Sequence, residues 1–207
     1  MPHGFLIIGI TPPAIRPDEA QIITAHLSDG YVDYFHLRHP SATADEMQRL
    51  ISAIPAPLRE RLSLHDHHHL GGAYGIGGLH LNSRNPRLPV LPEGYRPRVS
   101  RSCHSIAEVM DAAHAGADTQ GSESATYPLA YVTLSPIFDS ISKQGYGAAF
   151  PPEQYHRLRS DLTAAGIPVV ALGGVTPSRI DLLQKLGFAG AAMLGALWPE
   201  SSCHRMD

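Results

Sequence analysis

Cysteine is nearly absent from this chain: of 207 residues only Cys103 and Cys203 carry a thiol. That excludes a disulfide framework and fits a reducing compartment, so a cytoplasmic location is expected. Long apolar runs are missing as well. The first, over residues 5–10, is too short to cross a membrane and follows no basic segment. It reads as a strand, and no membrane partner is expected. Nor is there an excess of positive charge. The formal net charge of −3 gives no electrostatic reason to expect nucleic acid as a partner. Lysine and arginine together number only 16, so any anion site must be built locally from a few donors. Charged residues make up 17% and apolar residues 43%, the balance of a globular chain rather than a disordered one. The length suits one domain over residues 1–207.

What the chain does have is a regular alternation. Apolar runs that read as strands fall at residues 5–11, 34–38, 62–66, 78–82, 99–104, 131–137, 169–173 and 191–197. Most are continuously apolar for several residues, as strands buried on both faces are. Helical spacing lies between them at 18–27, 43–54, 105–114, 152–165 and 177–186, with room only for a short piece at 68–74. Thr43 and Glu46 predict a capping box. Pro152 and Pro177 sit in first helical turns, where a missing N–H costs little. Such alternation indicates an α/β fold with a parallel sheet. Closure into a compact TIM (β/α)8 barrel is the simplest arrangement, and an open doubly wound sheet is the alternative. Too few residues follow Trp198 for a full eighth helix, so the final helix is expected to be truncated or missing. The outer face of the last and first strands would then be bare apolar surface that a homodimer could cover. Two stretches read as irregular: 85–97, with four prolines, and 119–128, a polar, Gly/Ser-rich mobile insertion.

Several motifs at strand ends could carry chemistry. Gly173 and Gly174 close the seventh run just before a helix, where backbone amides can approach a phosphate. Gly195 follows the eighth, and in barrels the last two loops often hold phosphate. Tight turns alone are the competing explanation for these glycines. The loop after the sixth run carries Ser140 and Lys143, donors that could wrap a phosphate or pyrophosphate. Arg38 ends the second run, placed either for bidentate oxyanion binding or for an ion pair with a nearby carboxylate. Ser102 and His104 share a face at the end of the fifth, and His104 could act as a general acid or base. Cys103 has the opposite parity and reads as a buried apolar filler. The 13 histidines include His65, His67, His68 and His69 around Asp66. Consecutive histidines point in different directions, so this cluster does not complete a zinc signature. Asp66 is its more useful member, as a Mg2+ ligand or proton-transfer group. His80 and Asn82 share a face at the end of the fourth run and could line the same cavity.

These motifs, in this order and over nearly the whole chain, resemble the thiamin phosphate synthase/TenI family. The match runs through Leu37-Arg38, His65-Asp66, Gly78-Leu79-His80-Leu81, Ser102-Cys103-His104-Ser105, the segment from Tyr131 to Phe138 with its loop to Lys143, and Pro168 to Val175. The resemblance implies a TIM barrel in thiamin biosynthesis that binds thiazole phosphate near Gly173, Gly174 and Gly195. In synthase members, which join hydroxymethylpyrimidine pyrophosphate to thiazole phosphate with Mg2+, it puts Arg38, Asp66, Ser102, Ser140 and Lys143 on pyrophosphate and metal positions. Two departures stand out. Pro40 replaces a basic residue, and Asn82-Ser83-Arg84-Asn85 lacks the second metal carboxylate. TenI-type members are thiazole tautomerases that need a proton shuttle and no Mg2+, a role the resemblance gives to His104. On this basis a tautomerase is preferred, with a synthase as the alternative and a non-catalytic thiazole- or thiamin-phosphate binder as the third reading.

Overall fold

A computed structural model describes residues 4–119, 122–138 and 155–198. Eight parallel strands close into a barrel: β1 (Leu6–Ile10), β2 (Tyr34–Leu37), β3 (Leu62–Leu64), β4 (Gly78–Leu81), β5 (Arg98–Cys103), β8 (Leu129–Leu134), β9 (Val169–Ala171) and β10 (Gly190–Met193). β10 pairs with β1, which removes every sheet edge and decides for the barrel over the open sheet. Helices α1 (Glu19–Ser28), α2 (Ala44–Ala53), α3 (Leu70–Tyr74), α4 (Ile106–Ala115), α5 (Tyr155–Ala165) and α6 (Ile180–Leu186) surround it.

Local chemistry explains where these elements start. The Thr43 hydroxyl accepts from the Glu46 amide, and the Glu46 carboxylate accepts from the Thr43 amide at 2.7 Å. The capping box is therefore complete, and those hydrogen bonds hold the Glu46 carboxyl below its ordinary range. Thr43→Ala should cost about 1 kcal/mol of stability. A urea midpoint unchanged from wild type would show that α2 draws nothing from its cap. Ser105 caps α4 in a looser way, because the Glu108 carboxylate accepts from the amide of His104 instead of Ser105. Pro177 opens a 3-10 turn, Pro177–Arg179, ahead of α6.

Three expectations need correction. Residues 119–128 are not an irregular insertion. β6 (Ala117–Thr119) and β7 (Ser122–Tyr127) form an antiparallel hairpin. Polar composition concealed it, because its backbone pairs locally; Leu88 of the proline-rich segment donates to the Asp118 carbonyl at 2.9 Å and ties the hairpin down. The last strand ends at Met193 rather than residue 197, and Gly195–Leu197 is a 3-10 turn. That turn folds Leu197 and Trp198 back into the core. The Trp198 indole N–H donates to the Ile10 carbonyl at 2.8 Å, and its ring meets Phe35 edge-on at 6.0 Å. Phe35 in turn lies over Gly9, where any Cβ would come within 2.4 Å of its ring. At Gly9 the outer face of β1 is thus covered rather than bare, while Ile7 is half-buried. The residues beyond Trp198, where the final helix is expected to be truncated or missing, lie outside the described residues.

Two buried layers result. Outward-facing side chains such as Phe35, Leu37, Leu62, Leu79 and Val132 join the helices in the larger core. Strand alternation turns the other set inward. Ile8, Ile10, Tyr131, Val170 and Ala192 form a small apolar cluster inside the barrel. The β2–β5 side of that interior is polar instead: His36, Ser63, His65, His80 and Ser100 are all buried there.

Candidate functional site

The C-terminal ends of the strands gather the residues singled out in the sequence. Arg38 follows β2. Its amide donates to the fully buried Thr11 hydroxyl at 2.8 Å. Behind it, His39 and Glu19 make a wholly buried pair at 2.7 Å that ties the β2–α2 loop to α1. Among the described residues the Arg38 side chain has no carboxylate within ion-pair distance. The ion-pair alternative is therefore not seen there, and the half-buried Arg38 has no carboxylate partner within that set.

Asp66, after β3, is engaged. Its Oδ1 accepts from Arg84 Nε at 3.1 Å and Asn85 Nδ2 at 3.0 Å, and its Oδ2 accepts from Arg84 Nη2 at 3.1 Å. This bidentate pair occupies both carboxylate oxygens. The loop after β4 is built to hold it. Asn82 and Asn85 both donate to the His65 carbonyl at 2.9 Å, and Asn82 Oδ1 accepts from the amides of Arg84 and Asn85. The neighbouring histidines separate as expected for consecutive side chains. His67, in the left-handed region at φ 53°, contacts the Ala42 carbonyl at 2.7 Å, and His68 contacts the His80 carbonyl at 3.2 Å.

Ser102 and His104 line a cavity of about 510 Å³ together with Asn82, Arg87, Arg101 and Asp118. The Ser102 hydroxyl bonds His80 Nε2 at 2.8 Å. His104 is exposed, with Nδ1 3.2 Å from the Ser135 carbonyl. Cys103 is buried, and burial pushes its thiol up to about 11, which makes it a poor nucleophile. Across the mouth, Gly173 and Gly174 have φ of 94° and 61°. A Cβ on Gly173 would also lie 2.9 Å from Pro136 Cα, so this turn requires glycine. Arg179 donates to the Gly174 carbonyl at 2.9 Å and stacks on Phe138 at 4.2 Å, which braces the turn. Gly195 is exposed with open space where a Cβ would point. Ser140 and Lys143 lie outside the described residues.

Sequence reasoning missed what lies beneath this mouth. His36, His65 and His80 converge inside the barrel. Burial, the largest cause, holds all three imidazoles unprotonated: His36 and His65 titrate well below the ordinary 6.5, and His80 is lowered to about 3. Only the alternation of His36 with Arg38 and of His80 with Asn82 hinted at inward-facing positions. Arg98 also turns inward, its guanidinium 3.6 Å from the centre of the Tyr34 ring.

A family model described as thiamine monophosphate synthase matches residues 7–197. The chain belongs to this family. A solved thiamine phosphate pyrophosphorylase from Bacteroides thetaiotaomicron is 32% identical, with a TM-score of 0.74 over 98% of this chain and 90% of that one. A thiamine-phosphate synthase from Natronomonas pharaonis is 27% identical over 98% of this chain and 92% of its own length. Another, from Syntrophomonas wolfei, is 27% identical over 81% of this chain and 76% of its own. The family places this TIM-barrel enzyme in thiamin biosynthesis. The names of these relatives favour the synthase reading over the tautomerase preferred from sequence. Among the described residues no helix is long and apolar enough to cross a membrane.

Proposed function

We propose that the protein is a thiamine-phosphate synthase that joins hydroxymethylpyrimidine pyrophosphate to thiazole phosphate at the barrel mouth. The observation that carries this reading is Arg38, a cation without a carboxylate partner among the described residues, held in place by its own backbone. In that reaction pyrophosphate leaves and negative charge grows on it, so a guanidinium at this strand end acts where charge develops. Ser140 and Lys143 are assigned to the same group. Gly173, Gly174 and Gly195 are assigned to the thiazole phosphate, since backbone amides at such turns suit an anion. Ser102 is assigned to the pyrophosphate as well, its hydroxyl bonded to His80 Nε2 at 2.8 Å.

A synthase of this family implies Mg2+. The described residues do not fit a resident ion. Arg84 and Asn85 occupy both Asp66 oxygens, and no second carboxylate joins them in a metal-competent group among the described residues. Asp66 is therefore assigned to holding Arg84 at the rim of the mouth, and no step runs through a metal.

A second reading is supported by His104. It is exposed at the rim of the cavity, with only its Nδ1 bonded among the described residues, so Nε2 is available for proton transfer in a thiazole tautomerase. One assay separates the two. Purified protein, aromatic thiazole phosphate, hydroxymethylpyrimidine pyrophosphate and Mg2+ are mixed, and thiamin phosphate is read as fluorescent thiochrome. Catalytic turnover is expected. Intact substrates with folded protein would reject the synthase reading, and tautomerisation lost in His104→Ala would then assign the shuttle.

A further inference from the structure

The convergence of His36, His65 and His80 goes beyond that reading and does not depend on it. The three side chains come from β2, the end of β3 and β4, and are 0%, 5% and 1% exposed. One ring nitrogen from each lies within 4.8 Å of the other two. His36 Nδ1 and His65 Nε2 are 2.8 Å apart, and the His65 and His80 rings stack at 4.1 Å. The remote nitrogens are held from behind. His36 Nε2 meets the Tyr131 hydroxyl at 2.6 Å, and His80 Nδ1 meets the Ser100 hydroxyl at 2.8 Å. Imidazoles that bind metals are oriented in this way, by a partner on the nitrogen that does not face the ion.

We propose that His36, His65 and His80 form a tris-imidazole site for a divalent ion of the zinc class inside the barrel, beneath the mouth. The donor set is all nitrogen. It contains no carboxylate, which argues against Mg2+ or Ca2+ and for a late first-row ion. Burial keeps the rings neutral, so their lone pairs are available. Tetrahedral zinc with bonds of about 2.0–2.1 Å needs nitrogens about 3.4 Å apart. The His36–His65 contact therefore opens slightly and the His80 nitrogen closes in. A fourth position has a polar lining. Thr133 pairs in register with Ser102 and faces inward; it is 2% exposed, and among the described residues its hydroxyl has no hydrogen-bond partner. In the metal-free protein the Ser102 hydroxyl holds His80 Nε2 at 2.8 Å; the ion takes that nitrogen and releases the hydroxyl to a metal-bound water.

The test uses the full chain after chelator treatment, titrated with Co2+ alone and then with Zn2+. One equivalent of Co2+ should bind with visible bands of four- or five-coordinate cobalt, and Zn2+ should displace it. X-ray absorption of the wild-type zinc form should fit three imidazole nitrogens. His65→Asn should weaken binding by at least about 100-fold, beyond what loss of an outer partner causes. The double variant His67→Ala, His69→Ala, which clears the half-buried and exposed neighbours, should bind as wild type does. If His65→Asn does not fold, the absorption spectrum of the wild type decides alone. No binding, fewer than three imidazoles at the zinc, or binding lost in the His67/His69 variant would overturn the site and leave a hydrogen-bonded histidine network.

Discussion

Acidifying the metal-free protein from pH 7 to pH 5 should lower its stability by at least about 2 kcal/mol. The unfolded histidines titrate near 6.5, while burial holds His36, His65 and His80 neutral in the fold. Below pH 6.5 the unfolded state therefore binds more protons than the native state, and stability must rise with pH across that window. The contribution is fully present above pH 6.5 and drains as pH falls. Each imidazole that stays neutral in the fold adds about 1.4 kcal/mol per pH unit, so His80, lowered to about 3, contributes about 2 kcal/mol over about 1.5 units, and His36 and His65 add in the same direction. Native proteins are stable by only about 5–15 kcal/mol, so this is a sizeable share of the total. Urea titrations at half-unit steps of pH would measure it. The midpoint should be flat above pH 7 and fall steeply below 6.5. A midpoint that holds to pH 5 would mean that the buried rings protonate without cost. The capping carboxylate of Glu46 does not confuse this window, because its carboxyl is held below the ordinary 4.5 and loses its contribution only in stronger acid.

Arg38→Ala should lower kcat/KM for thiamin phosphate formation by about 10²–10³-fold, the usual loss for one electrostatic donor at a developing anion. The fold should survive. The structural role of Arg38 is its amide bond to Thr11, which any residue keeps, and among the described residues no carboxylate is left unpaired by the change. Arg38→Lys should recover part of the loss, since an ammonium keeps the charge but not the fork. Wild-type turnover in Arg38→Ala would remove the guanidinium from the site. A matching fall in thermal stability would instead show that it serves the fold.

Most of the barrel was legible in the chain. Eight apolar runs became eight barrel strands, since parallel strands buried on both faces leave a continuous apolar signature. Thr43 with Glu46 marked a helix start because capping is a contact over three residues. Arg38, Asp66, Ser102, His104, Gly173, Gly174 and Gly195 could be placed at strand ends by counting. Their partners could not. Arg84 lies 18 residues from Asp66, and its grip on both carboxylate oxygens depends on how the loop after β4 turns. The hairpin of β6 and β7 was missed because its strands satisfy their backbones against each other and against Leu88, in a stretch of polar composition that carries no continuous apolar run.

The sequence by itself therefore determined the α/β alternation, the helix caps and the strand ends that face the mouth. Each of these rests on contacts between near neighbours or on a repeating apolar pattern. Only the tertiary structure decided that His36 and His65, 29 residues apart, would meet at hydrogen-bond distance, with His80 stacked on His65. Barrel closure and strand register bring those rings together, and neither leaves a local mark. The run of histidines at residues 67–69 drew attention because it is contiguous, yet adjacent side chains point apart. The histidines that converge are those that the pleat turns inward from neighbouring strands.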